Sequence, residues 1–321
     1  MADQIRTILV TGATGRQGGA VIDALLSTPN IASKFLILAL TRDPDSARAQ
    51  KLLAKAPEII RLIKGDYTAP TLSEPFTKAK ELSPKGKIWG VFSMQDKDAK
   101  IYKDWRDAPE FHNGMKVVDQ AIKNNVELFI YTSGDTGGEK SWNNPTNVPH
   151  FMTKHHLERY LLDQIKEKNS TMKWTILRPT MFFENLEPTN DSKLFMTAYR
   201  DILKNKPVQY IATKDIGVFA AKAFLDPDNY QGKAISLAGD EVTWDQLNDA
   251  FIKVTGNPIP TGNGLLSWFI FRFVVKQYGM MIDWFKEEGY GANIKELRKI
   301  HPELMDAETW LKEKSAFPKK V

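Results

Sequence analysis

Five short apolar runs, TILV, KFLILAL, EIIRLI, KIWGVF and ELFIYTS, follow one another through the first half of the chain, each succeeded by a more polar stretch of helical length. Near-continuous apolar runs of this length are what a strand buried on both faces shows. Their alternation with helical segments predicts an α/β fold with a doubly wound parallel sheet. A sixth run, KWTILRP at residues 173–179, follows a helix expected to begin near His150. After Pro179 the regularity weakens. PVQYIA reads as a strand, KDIGVFAAKAFL as a helix, KAISLAG as a short strand and TWDQLNDAFIKVTG as a helix, and from about Gly264 onward the pattern is all helical. The expected division is residues 1–180 as one domain and 181–321 as a smaller, mostly helical C-terminal domain, with 207–226 returning to the first.

At 321 residues the chain has roughly the length of two domains. It contains no cysteine, which excludes a disulfide framework, a thiolate zinc site and a thiol redox switch. The excess of 44 basic over 39 acidic residues is mild and dispersed, and no basic, aromatic-interleaved patch points to specific nucleic-acid binding. The most apolar stretch, LLSWFIFRFVV at 265–275, is too short to span a bilayer and contains Arg272, so a buried helix or a lid is expected there and no membrane partner. The N-terminus runs straight into a strand without a basic leader or long apolar region, from which a cytosolic or nuclear location is expected.

The segment TILVTGATGRQGGAVIDALL places Gly12, Gly15 and Gly18 directly after a strand and at the opening of a helix. The first glycine permits a tight turn, the second lets backbone approach phosphate oxygens, and the third allows close helix-to-strand packing. A pyrophosphate would rest on the helix N-terminus, within the Rossmann dinucleotide pattern. Thr14, Arg16 and Gln17 belong to the same loop. After the second strand, LILALTRDP carries Arg42 where NAD-selective proteins carry a carboxylate. A guanidinium there forks onto a 2′-phosphate, so NADP(H) is the expected cofactor, with Arg48 a weaker second contact. Asp66 and Tyr67 are placed to meet the adenine, and Met94 and Gln95 the nicotinamide side.

Taken together, TGATGRQGG, TRDP, GDY, LRPTMFFENL, KDIGVFAAKAFLDP, GKAISLAGDEVTWDQL and WFKEEGYGANIKELRKIHPEL resemble the NmrA-like family over almost the whole chain. That family is an atypical branch of the short-chain dehydrogenase/reductase superfamily. The resemblance implies a Rossmann domain with a smaller C-terminal domain, NADP(H) binding, and either a cofactor-sensing or a reducing role.

Ordinary short-chain reductases use a Tyr to donate the proton, a Lys to lower its pKa and a Ser to hold the substrate oxygen. Ser133 in IYTSGD matches the Ser and Lys154 matches the Lys, but the Tyr position holds His150. NmrA-like sensors resemble this arrangement, and isoflavone-reductase-like enzymes also lack the Tyr and rely on the Lys. The Tyr210-to-Lys214 spacing spans a strand end and a turn, so the two side chains need not face each other. His155 and His156 are expected on the solvent side of their helix, and three histidines without thiolates or a clear carboxylate partner fit no common metal site. Phe182, Phe183 and Asn185 are expected to line an apolar pocket.

The function expected from these features is a cofactor-ratio sensor or regulator with a protein partner that responds differently to NADPH and NADP⁺. The alternative is an NADPH-dependent reductase of a small apolar substrate, such as a quinone, enone, imine or carbonyl, that uses Lys154 with His150 or water as proton source.

Overall fold

The computed structural model describes residues 5–66, 72–95, 102, 104–203, 205–270 and 276–320. The chain forms two compact units. The first comprises the described parts of Met1–Ser133, Thr153–Leu177 and Ile216–Ile235. The second comprises those of Gly134–Met152, Arg178–Asp215 and Ser236–Val321. The segment that returns to the first unit is thus Ile216–Ile235 rather than 207–226, and the stretch after Ser133 joins the second unit well before residue 180.

The first unit is built on β1 (Arg6–Val10), β2 (Phe35–Thr41), β3 (Ile60–Lys64), β4 (Gly90–Ser93), β5 (Leu128–Thr132) and β6 (Lys173–Pro179). These pair in parallel in the order β3-β2-β1-β4-β5-β6. Two further strands are β7 (Met181–Phe182) and β8 (Val208–Ile211), and the seventh strand of the central sheet is β9 (Lys233–Leu237). The Gly232 amide donates to the Trp174 carbonyl at 2.7 Å, and the Thr180 amide donates to the Leu237 carbonyl at 3.0 Å. Partners that advance together along both chains mean that β9 also runs parallel to β6. The apolar runs read from the sequence are these buried strands, with Ile8, Leu9 and Val10 at 0% exposure.

Helices α1 (Arg16–Leu26), α2 (Ala47–Leu53), α3 (Ser73–Leu82), α4 (Pro109–Lys123) and α5 (Pro149–Glu167) follow the early strands. On α4 the buried positions are Glu110, Asn113, Gly114, Val117, Val118 and Ala121, a three-and-four spacing that forms one stripe toward the sheet. Gly114 lets α5 approach, since a Cβ there would meet Leu157 Cδ2 at 2.1 Å.

The second unit contains α6 (Asn190–Ala198), the start of α7 (Thr213–Leu225), α9 (Trp244–Thr255), α10 (Gly264–Phe269), α11 (Lys276–Glu287), α12 (Ile294–Ile300) and α13 (Ala307–Glu313), while the short α8 (Pro227–Tyr230) lies in the first. A small sheet pairs β10 (Asp240–Val242) antiparallel to β8, and β8 parallel to β7, so PVQYIA does not extend the central sheet. Thr243 and Gln246 form a reciprocal cap at the start of α9, and Gly256 ends it at φ 77°.

The expectation of a buried helix at 265 onward is not met over α10, where Leu265 is 83% exposed. This helix turns its small residues inward. Ser267 Oγ donates to the Leu194 carbonyl at 2.9 Å, and a Cβ on Gly264 would meet Asp201 Oδ2 at 2.1 Å. The leucines therefore face outward; residues 271–275 lie outside the described residues.

Candidate functional site

The glycine turn lies wholly in the first unit. Gly12 has φ +58°, a conformation that a side chain disfavours, and a Cβ there would meet Met94 Sδ at 2.3 Å. A Cβ on Gly18 would meet the Gly12 carbonyl at 2.3 Å, so the first turn of α1 packs directly on the chain leaving β1. The Gly15 amide donates to the Gly12 carbonyl at 2.9 Å, closing the turn. Gly15 precedes α1 with no side-chain cap and no acidic residue in the first turn, which leaves backbone N–H groups for an anion. The turn is tied to the neighbouring strand through Thr11, whose Oγ1 donates to the Met94 carbonyl at 2.9 Å and accepts from the Met94 amide at 2.8 Å. Thr14 is half-buried and Arg16 exposed. Gln17 is buried, and its amide oxygen accepts from Thr132 Oγ1 at 2.7 Å, a link between α1 and β5.

Arg42 follows β2, is exposed, and has no ion pair or side-chain hydrogen bond among the described residues. Asp66 is half-buried after β3, and Tyr67 lies outside the described residues. Gln95 is 5% exposed, and its Nε2 donates to Ser93 Oγ at 2.8 Å while its Oε1 has no hydrogen-bond partner.

Ser93 is the register partner of Tyr131 on β5. Side chains two apart on a strand share a face, so Tyr131 and Ser133 point the same way. Both are buried, at 1% and 3% exposure, and neither the Tyr131 hydroxyl nor Ser133 Oγ has a well-formed hydrogen bond, although the two hydroxyls are neighbours. Lys154, on α5, reaches Glu110 Oε1 of α4 at 2.8 Å, with the two side chains only 13% and 5% exposed. Glu158, one helical turn beyond Lys154, is 3% exposed. Burial, reinforced by the Glu110 and Glu158 carboxylates, pushes the Tyr131 phenol well above its ordinary pKa of 10.0, and only the Ser133 hydroxyl opposes this. The result is a buried polar nest of Gln95, Tyr131, Ser133, Glu110, Lys154 and Glu158.

Sequence reasoning selected Gln95, Ser133 and Lys154 and missed the other three. Each had a signal: Glu110 falls in phase with the apolar stripe of α4, Tyr131 lies two residues before Ser133 on one strand, and Glu158 lies four after Lys154 on one helix. His156 is also placed differently from expectation. It is half-buried and stacks on Trp105 with centroids 3.7 Å apart, and burial, the first cause, lowers its pKa.

In the second unit His150 is half-buried in the first turn of α5, its ring centroid 5.9 Å from that of Phe151. Phe183 is a core residue, stacked against Tyr210 at 5.3 Å and Trp310 at 5.5 Å and fully buried, so the expected pocket role gives way to packing. Tyr210 belongs to that same stack, is fully buried, and its hydroxyl makes no hydrogen bond to Lys214. Phe182 is half-buried and Asn185 exposed. Among the described residues no group of three or more His, Cys, Asp or Glu could hold a metal ion, and no helix is long and apolar enough to cross a membrane.

A parallel sheet in the order β3-β2-β1-β4-β5-β6-β9, with a glycine turn at the end of β1, defines a Rossmann-type nucleotide-binding fold. The model of the NmrA-like family matches residues 4–298, and the chain belongs to that family. It is 29% identical over 267 residues to the NmrA-like family domain-containing oxidoreductase hkm9 of Aspergillus hancockii, covering 78% of this chain and 73% of the relative. Among solved structures it is similar to NmrA, a negative transcriptional regulator, in complex with NADP, with a TM-score of 0.65, 17% identity, and coverage of 97% of this chain and 95% of the other. The triphenylmethane reductase of Citrobacter sp., complexed with NADP(H), also has a TM-score of 0.65, at 18% identity, with 94% and 98% coverage. Identities this low speak to the fold alone.

Proposed function

We propose that the first unit binds NADP(H) and that the protein is an NADP(H)-dependent oxidoreductase working with His150, not a tyrosine, four residues before Lys154. One observation carries the chemical part of this reading. Three buried polar atoms gather in the nest that holds the Lys154–Glu110 pair: Gln95 Oε1 has no partner, and the Tyr131 and Ser133 hydroxyls make no well-formed hydrogen bond and have only each other as neighbour. Buried polar groups are almost always hydrogen-bonded, and a cluster of exceptions marks a place where a ligand completes the bonding.

Gly12, Gly15 and Gly18 leave a side-chain-free cradle at the N-terminus of α1, which fits a pyrophosphate supported by Thr14 and Arg16. Arg42 would take a 2′-phosphate, and Asp66 would meet the adenosine. Met94, Gln95, Ser133 and Lys154 would hold the nicotinamide half. The bound cofactor supplies hydride; the protein orients it and excludes water. NADP(H) in two of the structural neighbours and the oxidoreductase name of the curated relative support the reading.

A second reading, a redox-state sensor with a protein partner, is favoured by His150 in place of the tyrosine and by the similarity to a transcriptional regulator. Calorimetric titration of NADPH, NADP⁺, NADH and NAD⁺, together with NADPH consumption over quinones, enones, imines and aryl aldehydes, separates the two. The expected result is tighter binding of the phosphorylated dinucleotides and turnover of at least one acceptor class. Binding without turnover of any acceptor favours the sensor, and absence of dinucleotide binding removes both.

A further inference from the structure

Resting on the proposal that the first unit binds NADP(H), we infer that Glu110 is a positioning residue: through its ion pair it holds the Lys154 ammonium where the nicotinamide ribose of the cofactor meets it.

The two side chains rise from neighbouring helices whose spacing is fixed. Glu110 stands in the first turn of α4, after Pro109, and Lys154 stands on α5; both belong to the first unit. One turn further along each helix Gly114 faces Leu157, and a Cβ on Gly114 would meet Leu157 Cδ2 at 2.1 Å. Further along again, the Tyr160 hydroxyl donates to Asp119 Oδ1 at 2.7 Å. Contacts that advance together on both helices mean that α4 and α5 run side by side in the same direction, in close approach at Gly114. The stem of Lys154 therefore leaves a firm platform.

The platform alone does not fix what the stem carries. A lysine ammonium rides on a flexible four-carbon stem and reaches many positions unless something stops it. Among the described residues its one ion-pair partner is Glu110, with Nζ 2.8 Å from Oε1 and side chains 13% and 5% exposed. Glu110 has further interactions besides this one, so the carboxylate is the anchored member and the ammonium the dependent one. A first-turn acid ordinarily meets the helix dipole at the surface; this one is buried. The contact is an ion pair without hydrogen-bond angles, so the ammonium is located without spending its three N–H donors on Glu110. Donors held at one point suit a vicinal diol, which offers two acceptor oxygens to one ammonium, and in the nicotinamide half of the cofactor that diol is the ribose. Fixing the lysine before the cofactor arrives strengthens binding without adding a contact to the ligand.

The test compares two ligands by calorimetry: NADPH, and adenosine 2′,5′-bisphosphate, which carries the adenosine and its 2′-phosphate but no nicotinamide ribose. Glu110→Gln is expected to weaken NADPH binding by about tenfold and to leave the bisphosphate within about twofold of wild type. Lys154→Met should weaken NADPH by a similar factor. The double variant should lose no more than Lys154→Met alone, because a positioning residue has nothing to act on once the lysine is gone. If Glu110→Gln does not fold, the double variant, from which both charges of the pair are removed, carries the test against Lys154→Met. Equal losses for the two ligands in Glu110→Gln mark a purely structural role and overturn the inference. A folded Glu110→Gln that binds NADPH like the wild type, or losses that add in the double variant, overturn it as well. In each of these cases the wild type still binds NADPH, whereas a wild type that does not bind it removes the NADP(H) reading itself.

Discussion

Ser133 and Asp135 stand two residues apart, both are buried, and their polar atoms are treated in opposite ways. The Asp135 carboxylate, at 0% exposure, accepts from the amides of Gly138 at 2.9 Å, Gly137 at 3.1 Å and Gly291 at 2.8 Å, and from the hydroxyls of Ser141 and Ser236. Around it two backbones touch, because a Cβ on Gly138 would meet the Gly291 carbonyl at 2.3 Å and one on Gly291 would meet Gly137 C at 2.5 Å. Ser133, at 3% exposure, makes no well-formed hydrogen bond through its hydroxyl, whose neighbour is the Tyr131 hydroxyl. A buried charge surrounded by donors is structure; a buried hydroxyl left without one is poised for something else. The two residues divide the polar interior into a part that holds the fold and a part that, on the function proposed above, a ligand completes.

The largest expected effect falls on the satisfied side. Asp135→Ala leaves three amides and two hydroxyls without their acceptor, and should lower the unfolding free energy by about 3–5 kcal/mol. Chemical denaturation of the variant measures this. A loss below about 1 kcal/mol would mean that the network is replaceable by water and would end the contrast with Ser133.

Gly12→Ala comes next. The substitution places a methyl group in a left-handed residue and against Met94 Sδ, so the turn must open. Dinucleotide affinity should fall by about a hundredfold, of order 2.7 kcal/mol, with a smaller loss of stability. Calorimetry beside thermal unfolding separates the two. Arg42→Ala should act on the cofactor alone. NADPH binding weakens about tenfold, NADH binding stays where it was, and stability is unchanged because Arg42 is exposed and bonded to nothing among the described residues.

The sequence made the six parallel strands and the glycine turn legible because both depend on local signals: buried apolar runs, and glycines at fixed offsets from a strand end. β9 was visible as a strand but not as the seventh member of the central sheet, since pairing with β6 is a non-local choice. The outward face of α10 was hidden because apolar count predicts burial, whereas this helix packs through Gly264 and Ser267. Phe183 looked like a pocket residue for the same reason that aromatic side chains suit either a pocket or a core; only the stack with Tyr210 and Trp310 decides. In the candidate site, Ser133 and Lys154 were readable from spacing. Glu110 was not singled out, because its ion pair with Lys154 joins two helices that the chain separates by a strand and a loop.

The smallest expected effect is on the unsatisfied side, and it is the sharper test of the comparison. Tyr131→Phe removes a buried hydroxyl that makes no well-formed hydrogen bond and has only the Ser133 hydroxyl as neighbour, so near neutral pH the change in stability should be within about 1 kcal/mol of zero. The variant should nevertheless alter the alkaline limb of the stability curve. The unfolded phenol gives up its proton near 10.0, while the folded one, buried and faced by Glu110 and Glu158, keeps it to a much higher pH. Above that point the unfolded chain binds fewer protons than the native one, so stability falls as pH rises, and below it this residue contributes no slope. With phenylalanine at 131 the fall above pH 10 should be shallower than in the wild type, the remaining slope coming from other buried phenols such as Tyr199 and Tyr210. Urea unfolding of both proteins across that range reads the difference directly. Coincident curves would show that the folded Tyr131 phenol gives up its proton as readily as the unfolded one, so that the nest around Ser133 is not the closed, carboxylate-faced environment that sets it apart from the donor-filled surroundings of Asp135.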